Sequence, residues 1–397
     1  GPSHLYGRRT GAAGTEGEKE SRLPIMMFFM AAQPTALHSL FQQWGADFHE
    51  LHDAVIPLRV SQAGQEYEAA REGVVLFDGG DRGWLELSGS DTATFLQRIL
   101  TSDVESLANN EGQWSAMLDG KGHWISDLLL FRATVSESQE VFCMDLPFSK
   151  MDTVYTKLDQ YHFGEDLVWA AQKPARLIVA GPKAGDALQE LSIPTPFPEG
   201  TTQGFQKIHF GGCAQEGIWV IKRPDRGIPC WEILGSTDTV EPLAQRLKEN
   251  GAIPSGFVVQ DILRVEAGIP RFETDFNTDG TLPEAEEWHR ASLTKGCYAG
   301  QEVIAKINTY GEAPRRLCSL TFKSGTQPLH GAEVQNAEGK KVGAVTSWIW
   351  SPEKDQPLGL GTLKRSALRA DDDQTLYAVK GNLTIPLQAN VPEKILG

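Results

Sequence analysis

The segment KGCYAGQE, residues 295–302, combines residue types that can do chemistry. It contains a cation, a thiol, an aromatic ring and an amide, namely Lys295, Cys297, Tyr298 and Gln301. Its two glycines permit a sharp turn and a close approach to a ligand. A thiolate beside Lys295 would be stabilised, which would make Cys297 nucleophilic or redox-active. The alternative is a glycine-bracketed turn with a buried, inert cysteine, because free cysteine is among the most buried residue types.

A carboxylate is predicted on the apolar face of a helix further upstream. The segment PSGFVVQDILRVEAGIP predicts a helix that Pro254 opens and Gly268 closes. Its apolar residues recur at helical spacing, and Glu266 occupies the next position of that stripe. One interpretation is a structural ion pair with an arginine. The other is a contact to a ligand with two adjacent N–H donors, such as a 2-amino-4-oxopteridine.

A predicted hairpin supplies a second carboxylate. Two β-prone runs, QWSAMLD and HWISDLLLF, flank a turn at residues 120–122. Regular alternation places Asp127 on one face with Ile125 and Leu129, and Ser126 on the other face. A carboxylate in so apolar a strand can have a raised pKa and act as an acid or base. Asp127 is therefore a candidate catalytic residue.

Three cations, Lys306, Arg315 and Arg316, lie downstream of the motif. Strand alternation puts Arg316 on the same side as the apolar residues that follow it, starting at Cys318. An arginine at the start of an inward-facing row either extends to the rim or meets an anion. Together these cations predict a local basic patch, and each of them alone also fits a solvated strand end.

The elements that would position these residues are a mixture of strands and helices. Three segments repeat a β-turn-helix plan, at residues 85–100, 177–191 and 231–247. After about residue 315, short strands alternate with Gly, Asn, Asp and Pro turns, which predicts a small C-terminal β-barrel or sandwich. The predicted fold class is α+β, and the length of 397 residues predicts two or three domains.

The composition argues against several classes of function. A formal net charge of -15 argues against a nucleic-acid partner, because phosphate binding needs a basic face. The five cysteines have no CxxC spacing, so neither a metal site nor a disulfide framework is indicated and a reducing, cytoplasmic setting is expected. The apolar run at residues 25–32 is far shorter than the roughly 20 residues of a membrane span. The sequence contains no dinucleotide, P-loop, zinc-protease or serine-hydrolase motif.

KGCYAGQE is similar to the signature of YgfZ-type proteins, and LPEA at residues 282–285 and RRL at 315–317 stand where that family has them. LELSGSDTATFLQRILTSDV, ILRVEAGIPRFETDF and VGAVTSWIWSP resemble segments shared with the aminomethyltransferase, or T-protein, of the glycine cleavage system. The resemblance covers roughly residues 37–395, and by it the chain is identified as a member of the YgfZ/GcvT superfamily.

This resemblance implies a ring of three domains, the last a small β-barrel, around a channel that holds the cofactor tetrahydrofolate. It implies that Glu266, at the position of the T-protein's pterin-contacting glutamate, binds folate. The other expected cofactor contacts are Lys295, Tyr298, Gln301, Arg315 and Arg316, with the arginines near the glutamate tail of the folate or the channel mouth.

The domains are expected as follows along the chain. Residues 1–30 would be a disordered leader or a remnant of expression, and 31–170 the first part of the folate-binding domain. Residues 171–310 would form a second α+β domain and a returning folate-binding segment that carries KGCYAGQE, and 311–397 would form the barrel.

The chain departs from the T-protein pattern at one position. T-proteins usually carry two adjacent aspartates in the strand matched by HWISDL, and the first of them, used in catalysis, is Ser126 here. Aminomethyl transfer needs a carboxylate close to the reacting folate nitrogen, so this change weakens the transferase interpretation. Asp127 could substitute only if the strand face were shifted.

Three hypotheses follow. The first is a tetrahydrofolate-binding protein that acts in the assembly or repair of iron-sulfur clusters of client proteins, with Cys297 reactive at the channel. The second is a folate-dependent aminomethyltransferase or demethylase. The third is a non-catalytic scaffold that acts through protein contacts. None of them requires a nucleic-acid or membrane partner.

Overall fold

The computed structural model of the protein describes residues 32–136, 139–195, 208–213, 217–368 and 375–391. The leader predicted at residues 1–30 lies outside these ranges. Within them, no helix combines the length and the apolar character that crossing a membrane requires.

The helices in the described ranges are α1 (His38–Gln43), α2 (Ala63–Glu72), α3 (Thr92–Ile99), α4 (Met151–Tyr161), α5 (Ala184–Glu190), α6 (Thr237–Glu249), α7 (Phe257–Glu266) and α8 (Gln301–Tyr310). The strands of the first half are β1 (Gln33–Pro34), β2 (Asp47–Leu51), β3 (Ala54–Arg59), β4 (Val75–Asp78), β5 (Arg82–Ser88), β6 (Glu111–Leu118), β7 (Trp124–Ser136), β8 (Gln139–Pro147), β9 (Val168–Gln172) and β10 (Ala175–Ala180). The remaining strands are β11 (Ile208–Cys213), β12 (Ile218–Lys222), β13 (Cys230–Gly235), β14 (Ile253–Pro254), β15 (Arg315–Phe322), β16 (Glu333–Gln335), β17 (Lys341–Ser351), β18 (Gln356–Lys364), β19 (Leu376–Lys380) and β20 (Leu383–Asn390).

Eleven strands form one continuous sheet in the order β14-β4-β10-β13-β12-β11-β6-β7-β8-β5-β9. In this sheet β4 pairs with β10, and β11 pairs with β6. Residues 31–170 and 171–310 therefore contribute strands to the same sheet. A separate three-stranded sheet has the order β1-β3-β2.

The three predicted β-turn-helix units are β5 with α3, β10 with α5, and β13 with α6. All six residues of β10 are buried, as expected for a strand that is covered on both faces. From α6, Val240 and Leu247 pack in one apolar cluster with Leu177 and Val179 of β10. Burial of such side chains contributes about 1.5–3 kcal/mol each, and it holds the helices against the sheet.

Strands β15 to β20 close into a barrel in the order β15-β18-β17-β16-β19-β20, which confirms the predicted C-terminal barrel. Cys318, Leu320 and Phe322 of β15 point into the barrel core, as strand alternation predicts. The barrel docks on α7, where Arg264 donates to Ser347 Oγ at 2.7 Å. This contact holds the C-terminal part of α7 against β17 of the barrel.

Candidate functional site

A cavity of about 260 Å³ lies where α7, the large sheet and the loop before β15 meet. Its apolar wall includes Phe77, Trp114, Leu263 and Phe272. Its polar wall consists of arginines, carboxylates and two histidines: Arg82, Arg223, Arg226, Arg264, Arg271, Arg290, Asp81, Asp127, Asp225, Glu286, Glu287, His52 and His289. The volume is close to the lower end of the roughly 300–1,000 Å³ range of small-molecule sites, and an apolar pocket with converging polar groups is typical of such sites.

Asp127 projects into this cavity from β7. The residue is 5% exposed, and its Oδ1 atom is buried without a hydrogen-bond partner among the described residues. Its Oδ2 atom lies 3.5 Å from an Arg82 nitrogen and 3.6 Å from an Arg290 nitrogen. Ser126 is fully buried, and its hydroxyl donates to the backbone carbonyl of Asp127 at 2.7 Å. The aspartate, and not the serine, therefore lines the cavity.

The side chains near Asp127 do not follow the predicted alternation. Ile125, expected on the same face as Asp127, packs with Leu128 and Leu130 in the cluster on the other face. The reason is a β-bulge in β7. Met117 of β6 pairs with Ser126 and Leu118 pairs with Trp124, so Ile125 has no pairing partner in β6. An extra, unpaired residue in one strand interrupts the alternation, so side chains before and after it change the side of the sheet on which they lie. The prediction for Ile125 was wrong, and the strand irregularity lies directly before Asp127.

A buried charge cluster fixes Arg82 beside Asp127. Arg82 Nε donates to Asp145 Oδ1 at 2.5 Å, and Asp145 is also bonded to Arg176 and Arg223 at 2.9 and 2.8 Å. Burial opposes the ionisation of Asp145, but the three guanidinium groups hold its pKa well below the usual range. Glu232 accepts bonds from Arg176 and Arg223 as well, which completes the cluster.

Arg290 is the second cation beside Asp127, and the sequence patterns did not single it out. It lies in the short turn Trp288–Arg290 and is 5% exposed. Its Nε atom donates to Glu287 at 2.5 Å, and its guanidinium carbon lies 4.7 Å from the centre of the Trp114 ring. A further nitrogen donates to the carbonyl of Leu128 at 3.2 Å. These contacts hold the guanidinium group rigidly at the cavity wall.

Five polar atoms in the cavity wall are buried without a hydrogen-bond partner among the described residues, and two of them are His52 Nδ1 and Trp114 Nε1. The other three belong to charged side chains. They are Asp127 Oδ1, Arg226 Nε and Glu286 Oε2. A buried polar group that makes no hydrogen bond costs about 1–3 kcal/mol, so each of these atoms calls for a bonding partner. Two carboxylate acceptors, two N–H donors and a histidine nitrogen that can play either role fit a polar small molecule that presents both N–H groups and a carbonyl or carboxylate oxygen.

Glu266 does not line the cavity, and its role in ligand binding stays a prediction. The side chain is 5% exposed, so the prediction that it faces inward agrees with the structure. Its carboxylate accepts hydrogen bonds from Tyr67 at 2.9 Å, from Arg71 at 2.5 Å and from Ser351 at 2.5 Å. Both of its oxygens are thus used by α2 and the barrel. The geometry favours the structural ion pair with an arginine.

The KGCYAGQE segment packs under the hairpin and away from the cavity. The Nζ atom of Lys295 donates to the carbonyls of Gln97, Leu100 and Ser102 at 2.5–2.7 Å, at the C-terminal end of α3. Tyr298 is buried in the cluster that contains Trp124. Lys295 and Tyr298 thus make structural contacts, and their contacts to a ligand stay a prediction.

The remaining residues of this segment lie at the start of α8. Gln301 is the first residue of α8, and its backbone N–H donates to the carbonyl of Tyr298 at 3.3 Å, outside the cavity. Gly300, with a φ of 80°, lies so close to the hairpin that an added Cβ would be 2.8 Å from Gly122 Cα. Only glycine fits here. Cys297 is exposed, which rules out the buried, inert cysteine.

The predicted basic patch is largely neutralised by neighbouring carboxylates. Arg315 Nε donates to Glu284 at 2.9 Å, and Arg316 Nε donates to Glu286. The side chain of Arg315 is half exposed. Arg316 contacts the cavity wall through Glu286. Direct contacts of these arginines to a folate tail stay a prediction.

Lys295→Met is expected to destabilise the protein. The substitution leaves three carbonyls at the end of α3 without their charged donor, and hydrogen bonds to charged groups contribute about 1.5–3 kcal/mol. Urea unfolding monitored by fluorescence would measure the loss, with the exposed Lys306→Met as the matched control. Ligand affinity should stay within about twofold, since the ammonium lies outside the cavity. Unchanged stability would contradict the structural role of Lys295.

The chain matches two family models in sequence order. The GCVT N-terminal domain matches residues 37–288, and the glycine cleavage T-protein C-terminal barrel domain matches residues 315–390. An aminomethyltransferase of Bacillus subtilis is 28% identical over 343 residues, covering 83% of this chain and 90% of that protein. One of Halalkalibacterium halodurans is 26% identical over 335 residues, covering 83% and 89%.

A solved structure shows the same fold. The glycine cleavage system aminomethyltransferase T from Bartonella henselae superimposes with a TM-score of 0.80 at 21% identity, covering 92% of this chain and 98% of that one. The mixed sheet, the closed barrel and the cavity that both of them line thus define a protein of the aminomethyltransferase fold class. With matches to both domain models, the chain belongs to the glycine cleavage T-protein family.

Proposed function

We propose that the cavity binds a reduced folate and that the protein transfers to it the methylene carbon of an aminomethyl thioether. The folate amines form the new C–N bonds, the C–S and C–N bonds of the donor break, and a thiol and ammonia leave. The observation that carries this proposal is Asp127, a buried carboxylate with one unpartnered oxygen in the cavity wall. Such transfer needs a carboxylate near the reacting folate nitrogen, and Asp127, unlike Ser126, lines the cavity. Relatives of the chain are named aminomethyltransferases.

The residues of the cavity suit a folate head group. When bound, the folate would supply the nucleophilic amine that accepts the one-carbon unit. Trp114 and Phe272 offer aromatic surface for a flat ring and exclude water from it. Asp127 Oδ1 would hold a proton of the reacting amine, and Arg82 and Arg290 would fix the carboxylate in place.

The proposal is tested by anaerobic calorimetric titration with tetrahydrofolate, followed by incubation with an aminomethyl donor and mass spectrometry of the folate. Micromolar binding and a one-carbon adduct on the folate are the expected results. Binding without any adduct would reduce the proposal to folate binding. An absence of both would leave the scaffold hypothesis.

A second candidate function is folate-dependent iron-sulfur cluster assembly or repair, as the YgfZ-like motif implies. The observation that favours it is the exposed Cys297, in a segment that Lys295 and Tyr298 anchor firmly. A thiol held at the surface is open to a client protein, whereas the cavity carboxylate is not.

Cys297→Ala separates the two candidates. In a null strain complemented with the variant, the activity of client iron-sulfur enzymes should be lost if the thiol acts on them. One-carbon transfer in vitro should stay within about twofold of wild type, because Cys297 lies at the surface outside the cavity. The buried Cys318, replaced by Ala, is the matched control for a neutral loss of a thiol. Full rescue by Cys297→Ala would remove the iron-sulfur candidate.

A further inference from the structure

Glu286 has a backbone conformation that its residue type does not favour. Its φ is 59°, in the left-handed region, and the residue lies in the cavity wall. Glycine and asparagine adopt this conformation at low cost, whereas a residue with a long side chain adopts it at the expense of stability. Strain of this kind persists only where contacts with the surrounding structure hold the backbone in place. Residues with such strain are concentrated at binding sites.

Only one of the two carboxylate oxygens of Glu286 is bonded to another described residue. The side chain is 5% exposed, and one carboxylate oxygen, Oε1, accepts a bond from Arg316. The other oxygen, Oε2, is buried with no hydrogen-bond partner among the described residues. An ion pair alone would not require a free oxygen inside a cavity.

Glu284, two residues earlier in the same loop, forms a structural ion pair with which Glu286 can be compared. It accepts bonds from Arg315 at 2.9 Å through Oε1, and its Oε2 atom accepts a bond from the backbone N–H of Thr281 at 3.1 Å. Both of its oxygens have partners, and it does not belong to the cavity wall. Glu284 is therefore a matched internal control for Glu286.

We infer that Glu286 is a ligand-binding residue, whose Oε2 atom accepts a hydrogen bond from an N–H group of the bound molecule and so determines specificity. Arg316 is a positioning residue that orients the carboxylate. The N–H group belongs either to the 2-amino edge of a reduced pterin or to the amine of the one-carbon donor. Naming these sources rests on the function proposed above.

Glu286→Gln tests the inference, because the amide keeps the shape and loses the charge. Calorimetry would compare tetrahydrofolate, an analogue with methyl in place of the 2-amino group, and methylamine, which is the aminomethyl group capped with hydrogen, added to the folate-loaded protein. Affinity for the recognised group should fall about tenfold or more, the effect expected for a charge-assisted hydrogen bond, while Glu284→Gln stays within about twofold. A loss for tetrahydrofolate but not for the analogue assigns the pterin edge. A loss only for methylamine assigns the donor amine, and no loss for any probe overturns the inference.

A second measurement separates binding from a structural role without any ligand. Glu286→Gly and Glu286→Asn relieve the backbone strain, so the thermal midpoint of the ligand-free protein should stay the same or rise. Glu284→Gly should lower it. An equal fall in Glu286→Gly and Glu284→Gly would overturn the inference. If the wild type binds none of the probes, the folate function fails, and the midpoint of Glu286→Gly then decides separately whether Glu286 serves a binding site.

Discussion

Asp127→Asn is expected to lower the rate constant of one-carbon transfer to tetrahydrofolate by roughly 10²–10⁴-fold, the usual contribution of a general acid or base. The amide keeps the Oδ1 acceptor but cannot take up a proton. Arg82 and Arg290 keep their other carboxylate partners, Asp145 and Glu287, so the fold should persist. Single-turnover kinetics at saturating folate would measure the chemical step, and calorimetry would show folate affinity within a few-fold of wild type.

Ser126→Ala is the matched control for this experiment. Ser126 occupies the position at which the T-protein resemblance places the catalytic aspartate, but its hydroxyl donates to a backbone carbonyl and lies away from the cavity. The alanine variant should therefore transfer at a rate within about threefold of wild type, since an ordinary buried hydroxyl bond contributes about 1 kcal/mol or less to stability and nothing to the chemistry. A large loss in Ser126→Ala with an active Asp127→Asn would reverse the assignment of the two residues.

The same pair of residues shows how far the sequence could predict the site. Strand alternation is a local rule, and it correctly separated Asp127 from Ser126. It could not reveal that Ile125 has no pairing partner in β6, because a β-bulge depends on the register between the two strands and not on one strand alone. The sequence alone also could not show that Asp127, and not Ser126, lines the cavity.

Glu266 illustrates a different limit. The helical stripe correctly predicted a carboxylate that faces inward, but a sequence pattern does not say what lies opposite. Its partner Arg71 is 195 residues away along the chain. Arg226 and Glu286 were missed for a related reason. Both residues lie in turns rather than at periodic positions of a helix or strand, so apolar periodicity does not mark their side chains. The φ of Glu286 in the left-handed region is also unusual for its residue type.

The barrel and the three β-turn-helix units could be predicted because their signals are local. Turn residues bound the short strands, and apolar periodicity marks the helices. The joining of the two halves of the N-terminal region into one sheet could not be predicted, because it rests on pairings between distant strands such as β4 and β10. The cavity lies among these distant elements.

Asp145→Asn is expected to cause the largest loss of stability of any single substitution considered for this protein. Asp145 is fully buried and is bonded to Arg82, Arg176 and Arg223. Removing the shared carboxylate leaves buried guanidinium charge uncompensated, which costs about 3–5 kcal/mol. Urea unfolding would measure the change in the free energy of unfolding. Asp47→Asn, in a pair with Arg59 whose two side chains are each 59% exposed, should cost less than about 1 kcal/mol.

The double variant Asp145→Asn, Arg176→Met tests the origin of that loss. If the penalty arises from an unpaired buried charge, removing a guanidinium as well should recover part of the stability, since replacing both partners by groups of similar volume is often nearly neutral. Glu232 would keep Arg223 as its partner in the double variant. A double variant that is less stable than Asp145→Asn would show instead that Arg176 contributes mainly through packing against Trp84, whose ring lies 5.9 Å from its guanidinium carbon. Because the same cluster holds Arg82 beside Asp127, folded Asp145→Asn should also transfer one-carbon units more slowly, even at saturating folate.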